Sequence, residues 1–191
     1  MLSLDWNVLS GQAWEVAPRL LGSYLVRELD GRKLVSKIVE TEAYDQADAA
    51  SHSYRGRTQR TAVMFGPAGH LYVYFSYGMH YCCNIVTGLE GHGSAVLIRA
   101  VEPLEGLEVI KQLRHGVADA QLTNGPGKTC QALGIDKRFN GHDLRRSPLT
   151  LVLKEALSPD QIVQTTRVGI SKAKDEPWRF YIKGSPYVSK K

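Results

Sequence analysis

The chain is short of cysteine, has no long apolar run and has no internal repeat, and each shortage removes a class of protein. Only Cys82, Cys83 and Cys130 occur among 191 residues. Two of them are adjacent and none has C-x-x-C spacing, which argues against a zinc site and against a disulfide framework. The three thiols are expected to be reduced, as in a cytosolic chain. No apolar stretch is long enough to cross a bilayer, so no membrane partner is expected. The N-terminal stretch carries Asp5 and Glu15 and lacks a basic segment followed by an apolar one, so it does not read as a secretory signal. The histidines have no metal-ligand spacing. Neither a metal nor an organic cofactor is therefore expected. The segment Asn124-Gly-Pro-Gly-Lys128-Thr129 resembles a phosphate-binding loop, but G-x-x-x-x-G-K-[ST] needs glycine where Leu122 stands. Nucleotide triphosphate binding is thereby rejected. A phosphate contact of DNA at that helix start, or a plain helix start, both remain open.

What is present is a modest positive balance. Lys and Arg number 24 against 19 Asp and Glu, a formal charge of +5. That suits a polyanionic partner, although many basic proteins bind no nucleic acid. The length fits one domain over residues 1–191.

The pattern of the chain mixes strands and helices without regular alternation. Helical spacing covers residues 11–21, with Pro18 inside and Gly22 as a stop. SYLVREL and KLVSKIVETEAY read as strands joined through Asp30-Gly31, a strong hairpin signal. A polar loop covers 45–57, and Thr58 is a candidate cap for a short helix reaching Phe65. HLYVYFSY and MHYCCNIV read as two strands turning near Tyr77-Gly78, followed by the strand SAVLIRAVE. LEGLEVIKQLRHG reads as an amphipathic helix with Leu107, Ile110 and Leu113 on one face. A further helix is expected after Gly127, then a strand at LTLVL, a helix start at Ser158-Pro159 and a last strand in WRFYIKG. Residues 136–148 and 171–177 read as loops. The expected fold is a mixed α+β domain, a curved antiparallel sheet with surrounding helices and a protruding hairpin.

Two groups of residues can carry chemistry. Glu40 and Glu42 lie two apart on a strand and so share a face. They fit a solvated strand edge, or a carboxylate at a strand end that holds and deprotonates a water. The hairpin holds Tyr72, Tyr74, Phe75, Tyr77 and Tyr81. Strand aromatics are usually core. Tyr77 is hard to bury beside Gly78 at a turn, and an exposed aromatic there suits wedging between bases.

LLGSYLVREL, KIVETEAY, DAASH, RGRTQRTAVMFGPAGHLYVYFSYGMHYCCNIV, AVLIRAVEPLEG, NGPGKTCQALGI and RFYIKGSPYVS occur in this order. Together they closely resemble the alkyladenine (3-methyladenine) DNA glycosylase family, over roughly residues 17–189. The resemblance implies an enzyme that flips a damaged purine out of double-stranded DNA into a pocket. It implies that Tyr77 enters the gap, that Tyr44 and His52 line one face of the base and that Tyr74 lines the other. Glu42 would activate water, helped by Arg99 and the backbone carbonyl of Val168. Asn84 would crowd the 2-amino group of normal guanine. The backbone around Ala50 and His52 would read the base edge. The loop from Tyr44 to His52 is about one residue shorter than in relatives and lacks a glycine often found there, which bears on lesion preference.

The chemistry agrees with these roles. Cleavage at C1′ passes through an oxocarbenium-like state that a carboxylate stabilises. A 3-methyl- or 7-methylpurine is already cationic and leaves easily. A neutral lesion such as hypoxanthine needs a proton on leaving, and no acid for that step is evident in the sequence. No lysine is expected in the matched pocket positions, so water is the expected nucleophile and a monofunctional enzyme the expected class. Arg55, Arg57 and Arg60 are candidate phosphate contacts. A nucleosidase acting on free small molecules, or a noncatalytic damaged-DNA-binding module, are the competing classes. A monomer is expected, cytoplasmic in a prokaryote or nuclear in a eukaryote.

Overall fold

The computed structural model describes residues 5–76 and 78–190. A short helix, α1 (Ala13–Arg19), opens on a capping box in which Gln12 and Glu15 satisfy each other's backbone N–H groups. It ends at Arg19, earlier than the apolar spacing suggested, with Pro18 in its final turn. The chain then enters β1 (Tyr24–Leu29) and β2 (Arg32–Tyr44). Between them Asp30 and Gly31 have φ of 48° and 72°. Two positive values are what a two-residue hairpin turn of the right twist demands, and Asp-Gly supplies them at low cost.

The remaining strands are β3 (Leu71–Ser76), β4 (His80–Val86), β5 (Ala95–Glu105), β6 (Leu149–Val152), β7 (Ile162–Thr165) and β8 (Arg179–Ile182). All pairings named here are antiparallel, in the order β3-β4-β5-β2-β1-β6, with β8 bridging β7 to β2. The expected mixed α+β fold, a curled antiparallel sheet with helices around it, is the observed one. Two further helices are α2 (Leu107–Leu113) and α3 (Pro126–Ala132).

Several local expectations need correction. The segment after Thr58 forms only a 3-10 turn over Ala62–Phe65, because the Thr58 and Thr61 hydroxyls and backbone bind each other instead of capping an α-helix. On α2, Ile110 is buried but Leu107 is exposed, so the apolar stripe is narrower than its spacing implied. The helix expected after Gly127 begins at Pro126, whose fixed φ suits a first helical position. Ser158-Pro159 starts a 3-10 turn, and β7 directly after it had no alternation strong enough to mark it. Residues 136–148 are irregular, as expected, apart from a 3-10 turn over Lys137–Phe139, and they place Phe139 and Leu144 in the core.

The site is positioned by β2. Its N-terminal half pairs with β1 up to Lys37, and from Glu40 the same edge pairs with β8. Against β5 the register slips three times, once between Val35 and Ser36 and then on either side of Glu40. Val39 is the extra residue on β2, and Arg99 is the extra residue on β5. The two slips beside Glu40 cancel, so Glu42 faces Leu97 in the register set by Ile38 and Val101. Bulges bend a strand and re-aim its side chains. Here they bury every residue from Ile38 to Ala43. One apolar core lies between the sheet and helices α1 and α3. A smaller one, built from Met64, Phe65, Tyr72, Val86 and Ala95, supports a cleft at the other side of β4.

Candidate active site

Glu40 and Glu42 are both fully buried, so the solvated-edge reading is overturned. A buried carboxylate needs partners, and both have them. Glu40 accepts from Arg99 Nε at 3.1 Å, Arg179 Nε at 2.7 Å, the Ser189 N–H at 2.7 Å and Ser189 Oγ at 2.9 Å. Glu42 accepts from Arg99 Nη1 at 3.1 Å and Tyr44 Oη at 2.8 Å on Oε2, and from the Val168 N–H at 2.7 Å on Oε1. Arg99, aimed inward by its bulge, therefore bridges the two carboxylates. Burial alone would lower its pKa, but Glu42 and Glu40 outweigh that and raise it. The Val168 backbone meets Glu42 through its N–H, a contact the sequence did not foretell.

A cleft of about 760 Å³ opens above this cluster. That volume falls in the range of small-molecule sites. Its wall includes Tyr44, Ala50, His52, Tyr72, Tyr74, Asn84, Arg99 and Val168. The wall thus brings together most of the residues singled out from the sequence. Glu42 lies beneath it, covered by Tyr44, Arg99 and Val168. Burial, and then Glu42, push the Tyr44 hydroxyl up, so it stays a donor to that carboxylate. The Tyr74 hydroxyl is also pushed up by burial and by Cys82. Cys82 is held at about 11, mainly by burial, and is thus a thiol at neutral pH and no nucleophile.

His52 stands edge-on to Tyr74 with ring centres 4.5 Å apart, and its Nδ1 lies 3.1 Å from Tyr72 Oη. Tyr72 and Tyr74 stack at 5.6 Å. His52 thus presents its edge, and not its face, to Tyr74. Its surroundings, and then the Arg60 cation, push the imidazole down to about 4, so it is neutral at physiological pH although its edge is open to the cleft. Asn84 faces Tyr72 across the hairpin and donates Nδ2 to the Tyr72 carbonyl at 3.1 Å. The Ala50 N–H is already given to Asp48 Oδ1 at 2.9 Å, so any reading of a ligand edge through Ala50 falls to its carbonyl. Tyr77 lies outside the described residues. Its neighbours on the hairpin, Phe75 and Met79, are exposed by 52% and 69%, so the hairpin offers an apolar tip whatever Tyr77 does.

Several residues escaped the sequence reading. Arg167 is buried, pairs with Asp48, donates Nη1 to the Ala43 carbonyl at 2.9 Å and lies over the Tyr44 and Trp178 rings at 4.8 and 5.1 Å. It backs Tyr44 and fixes the turn that presents the Val168 N–H. Arg179 and Ser189 complete the Glu40 cluster. Their only signal was an arginine inside an apolar strand and a serine near a polar end, which is too weak to notice. Arg60, expected to touch phosphate, lies on the cleft wall 5.7 Å from the Tyr74 ring centre. Lys172 is on the wall as well, at a position outside those matched from the sequence. Among the described residues no group of three or more His, Cys, Asp or Glu could hold a metal ion, and no helix is long and apolar enough to cross a membrane.

Comparison with known proteins shows the family. The family model described as methylpurine-DNA glycosylase matches residues 7–186. A protein of Carboxydothermus hydrogenoformans described as "Putative 3-methyladenine DNA glycosylase" is 55% identical, over 92% of this chain and 93% of its own. Proteins with the same description from Methanoculleus marisnigri and Nitrosospira multiformis are 54% and 48% identical, covering 92% and 95% of this chain and 93% and 91% of theirs.

Proposed function

Because the chain belongs to the methylpurine-DNA glycosylase family, and is therefore a DNA glycosylase, a hydrolase of DNA repair, we propose that it flips alkylated or deaminated purines out of double-stranded DNA and hydrolyses their N-glycosidic bond with a water activated by Glu42. The lesions in this reading are 3-methyladenine, 7-methylguanine, hypoxanthine and ethenoadenine, and an abasic site is left for base excision repair. The enzyme acts as a monomer.

The observation that carries the mechanism is the bonding of Glu42. A carboxylate has about four lone-pair positions, and three donors engage it, two on Oε2 and one on Oε1. The remaining position on Oε1 is the one to accept a proton from water. As the C1′–N9 bond breaks, its electron pair stays on the purine and positive charge grows at C1′, where the buried carboxylate stabilises it. The water oxygen bonds to C1′ and its proton passes to Glu42. A cationic purine departs neutral, whereas a neutral purine departs as an anion and takes a proton from solvent. Tyr44 and His52 on one side and Tyr74 on the other line the faces of the flipped base, and aromatic faces stack on any purine. Asn84, fixed by the Tyr72 carbonyl, crowds the 2-amino group that guanine carries and hypoxanthine lacks.

Glu42→Gln should lose base release from a duplex bearing hypoxanthine or ethenoadenine by at least about a hundredfold, with DNA binding retained in a gel-shift assay. Retained release would remove Glu42 from the mechanism. Binding without release by the unaltered protein on every lesion would favour a noncatalytic damage-binding module. Lys172 on the wall gives a second reading, a lysine nucleophile that cuts the strand. Borohydride trapping decides it, since a covalent adduct lost in Lys172→Ala would establish that route and no adduct supports water.

A further inference from the structure

The cleft wall carries three positive side chains, Arg60, Arg99 and Lys172, and no acidic residue among those described. Arg99 is balanced within its own cluster, where Glu40 and Glu42 face Arg99 and Arg179. Arg167, behind Tyr44, is balanced by Asp48. Arg60 and Lys172 have no carboxylate beside them on the wall. The space that would take a base is therefore surrounded by a positive excess, in a family whose relatives are described by 3-methyladenine, a purine that is cationic while it is bonded to its sugar.

The aromatic faces deepen the bias. A cation is attracted to a tyrosine face, but a face that already holds one attracts a second less. Tyr44 has Arg167 over its ring at 4.8 Å, and Tyr74 has Arg60 at 5.7 Å. A flipped cationic purine would meet the open charge of Arg60, and at Tyr44 a face whose attraction for cations Arg167 already uses. A neutral purine meets no such repulsion, and its ring nitrogens and any exocyclic oxygen accept hydrogen bonds from a guanidinium or ammonium group. The difference grows during bond cleavage. A neutral purine becomes an anion, which nearby cations stabilise, while a cationic purine becomes neutral and gains nothing from them. His52 adds no charge of its own, being neutral at physiological pH.

We propose that Arg60, together with Lys172 on the same wall, selects lesions by charge, favouring neutral purines such as hypoxanthine and ethenoadenine over cationic N-alkylpurines such as 3-methyladenine and 7-methylguanine. The guanidinium of Arg60 takes the role for which no acid was evident, by donating hydrogen bonds to the departing neutral base and not by transferring a proton. The assignment rests on the reading that the cleft receives a flipped base.

The test uses single-turnover base release from duplexes bearing one hypoxanthine, one ethenoadenine or one 7-methylguanine, each rate divided by spontaneous loss from the same duplex. The unaltered protein, Arg60→Gln, Arg60→Lys and Lys172→Gln are compared. The ratio of neutral to cationic rate enhancement should fall about tenfold in Arg60→Gln and severalfold in Lys172→Gln, the size expected for one charge acting over a few ångströms in a hydrated cleft. Arg60→Lys should restore most of it. Both side chains are exposed, and thermal melting of each variant checks the fold. Equal losses on all three lesions, with the salt dependence of DNA binding reduced by about one unit, would show Arg60 to be a phosphate contact and overturn the assignment. No release from any duplex by the unaltered protein would overturn the glycosylase mechanism and this assignment together.

Discussion

Glu40 shows how much of the site's stability rests on one side chain. It holds two buried guanidiniums and the Ser189 N–H. Removing one partner of a buried pair leaves the other uncompensated, at roughly 3–5 kcal/mol. Glu40→Ala should therefore lower unfolding free energy by about that amount in urea titration, and a loss under 1 kcal/mol would mean that the cluster is far wetter than its burial implies. His52 gives the clearest pH signature. Its folded pKa, about 4, lies below the ordinary histidine value. The unfolded chain therefore binds the proton first as pH falls. The His52 contribution to stability is whole above about 6.5 and is lost on the way down to about 4. Base release should show no His52 inflection between about pH 5 and 8, and an inflection there that disappears in His52→Gln would contradict the neutral imidazole.

Among the elements, the loop from Asp45 to Ser53 is the one on which the cleft depends. It is fastened at several points: Asp45 to His92 at 2.7 Å, Gln46 to the Gly93 N–H at 3.0 Å, Ser53 Oγ to the Gly93 carbonyl at 2.8 Å, and Asp48 to Arg167. Gly93 lies against it so closely that an added Cβ would stand 2.6 Å from the Ser53 Cβ and 2.7 Å from the Phe65 ring. Overpacking of this kind costs about 1–3 kcal/mol. Gly93→Ala should lower the melting temperature and weaken lesion binding more than it weakens binding to undamaged DNA; equal weakening of both would show that the loop does not shape the cleft. The elements also mark what can be read in a sequence. Asp30-Gly31 announced its hairpin because the turn needs positive φ at two positions, a local demand with a local signature. The paired slips of β2 and β5 had no signature, since Val39 and Arg99 look like ordinary strand residues until the two strands are laid side by side. The candidate residues from Glu42 to Asn84 were legible through family resemblance. Arg167 and Arg179 were not, for their meaning comes from partners far along the chain.

At the scale of the molecule, a charge of +5 is too small to identify a DNA enzyme. Its arrangement matters more than its size. Arg99, Arg167 and Arg179 sit inside and are matched by carboxylates, while Arg60 and Lys172 stand open at the cleft. Charge counting along the sequence treats these arginines and lysines alike, and only the fold separates those that answer a buried carboxylate from those that stand open at the cleft.

The three donors to Glu42 come from distant parts of the chain: Tyr44 at the end of its own strand, Arg99 on a bulge of another, and Val168 beyond both. No fragment holds them together. Under the proposed mechanism, a partly unfolded or thermally damaged molecule loses the geometry that would activate water. For an enzyme whose misplaced action would itself injure the genome, this wiring is a fail-safe: breakdown ends in silence instead of indiscriminate cutting of healthy nucleotides.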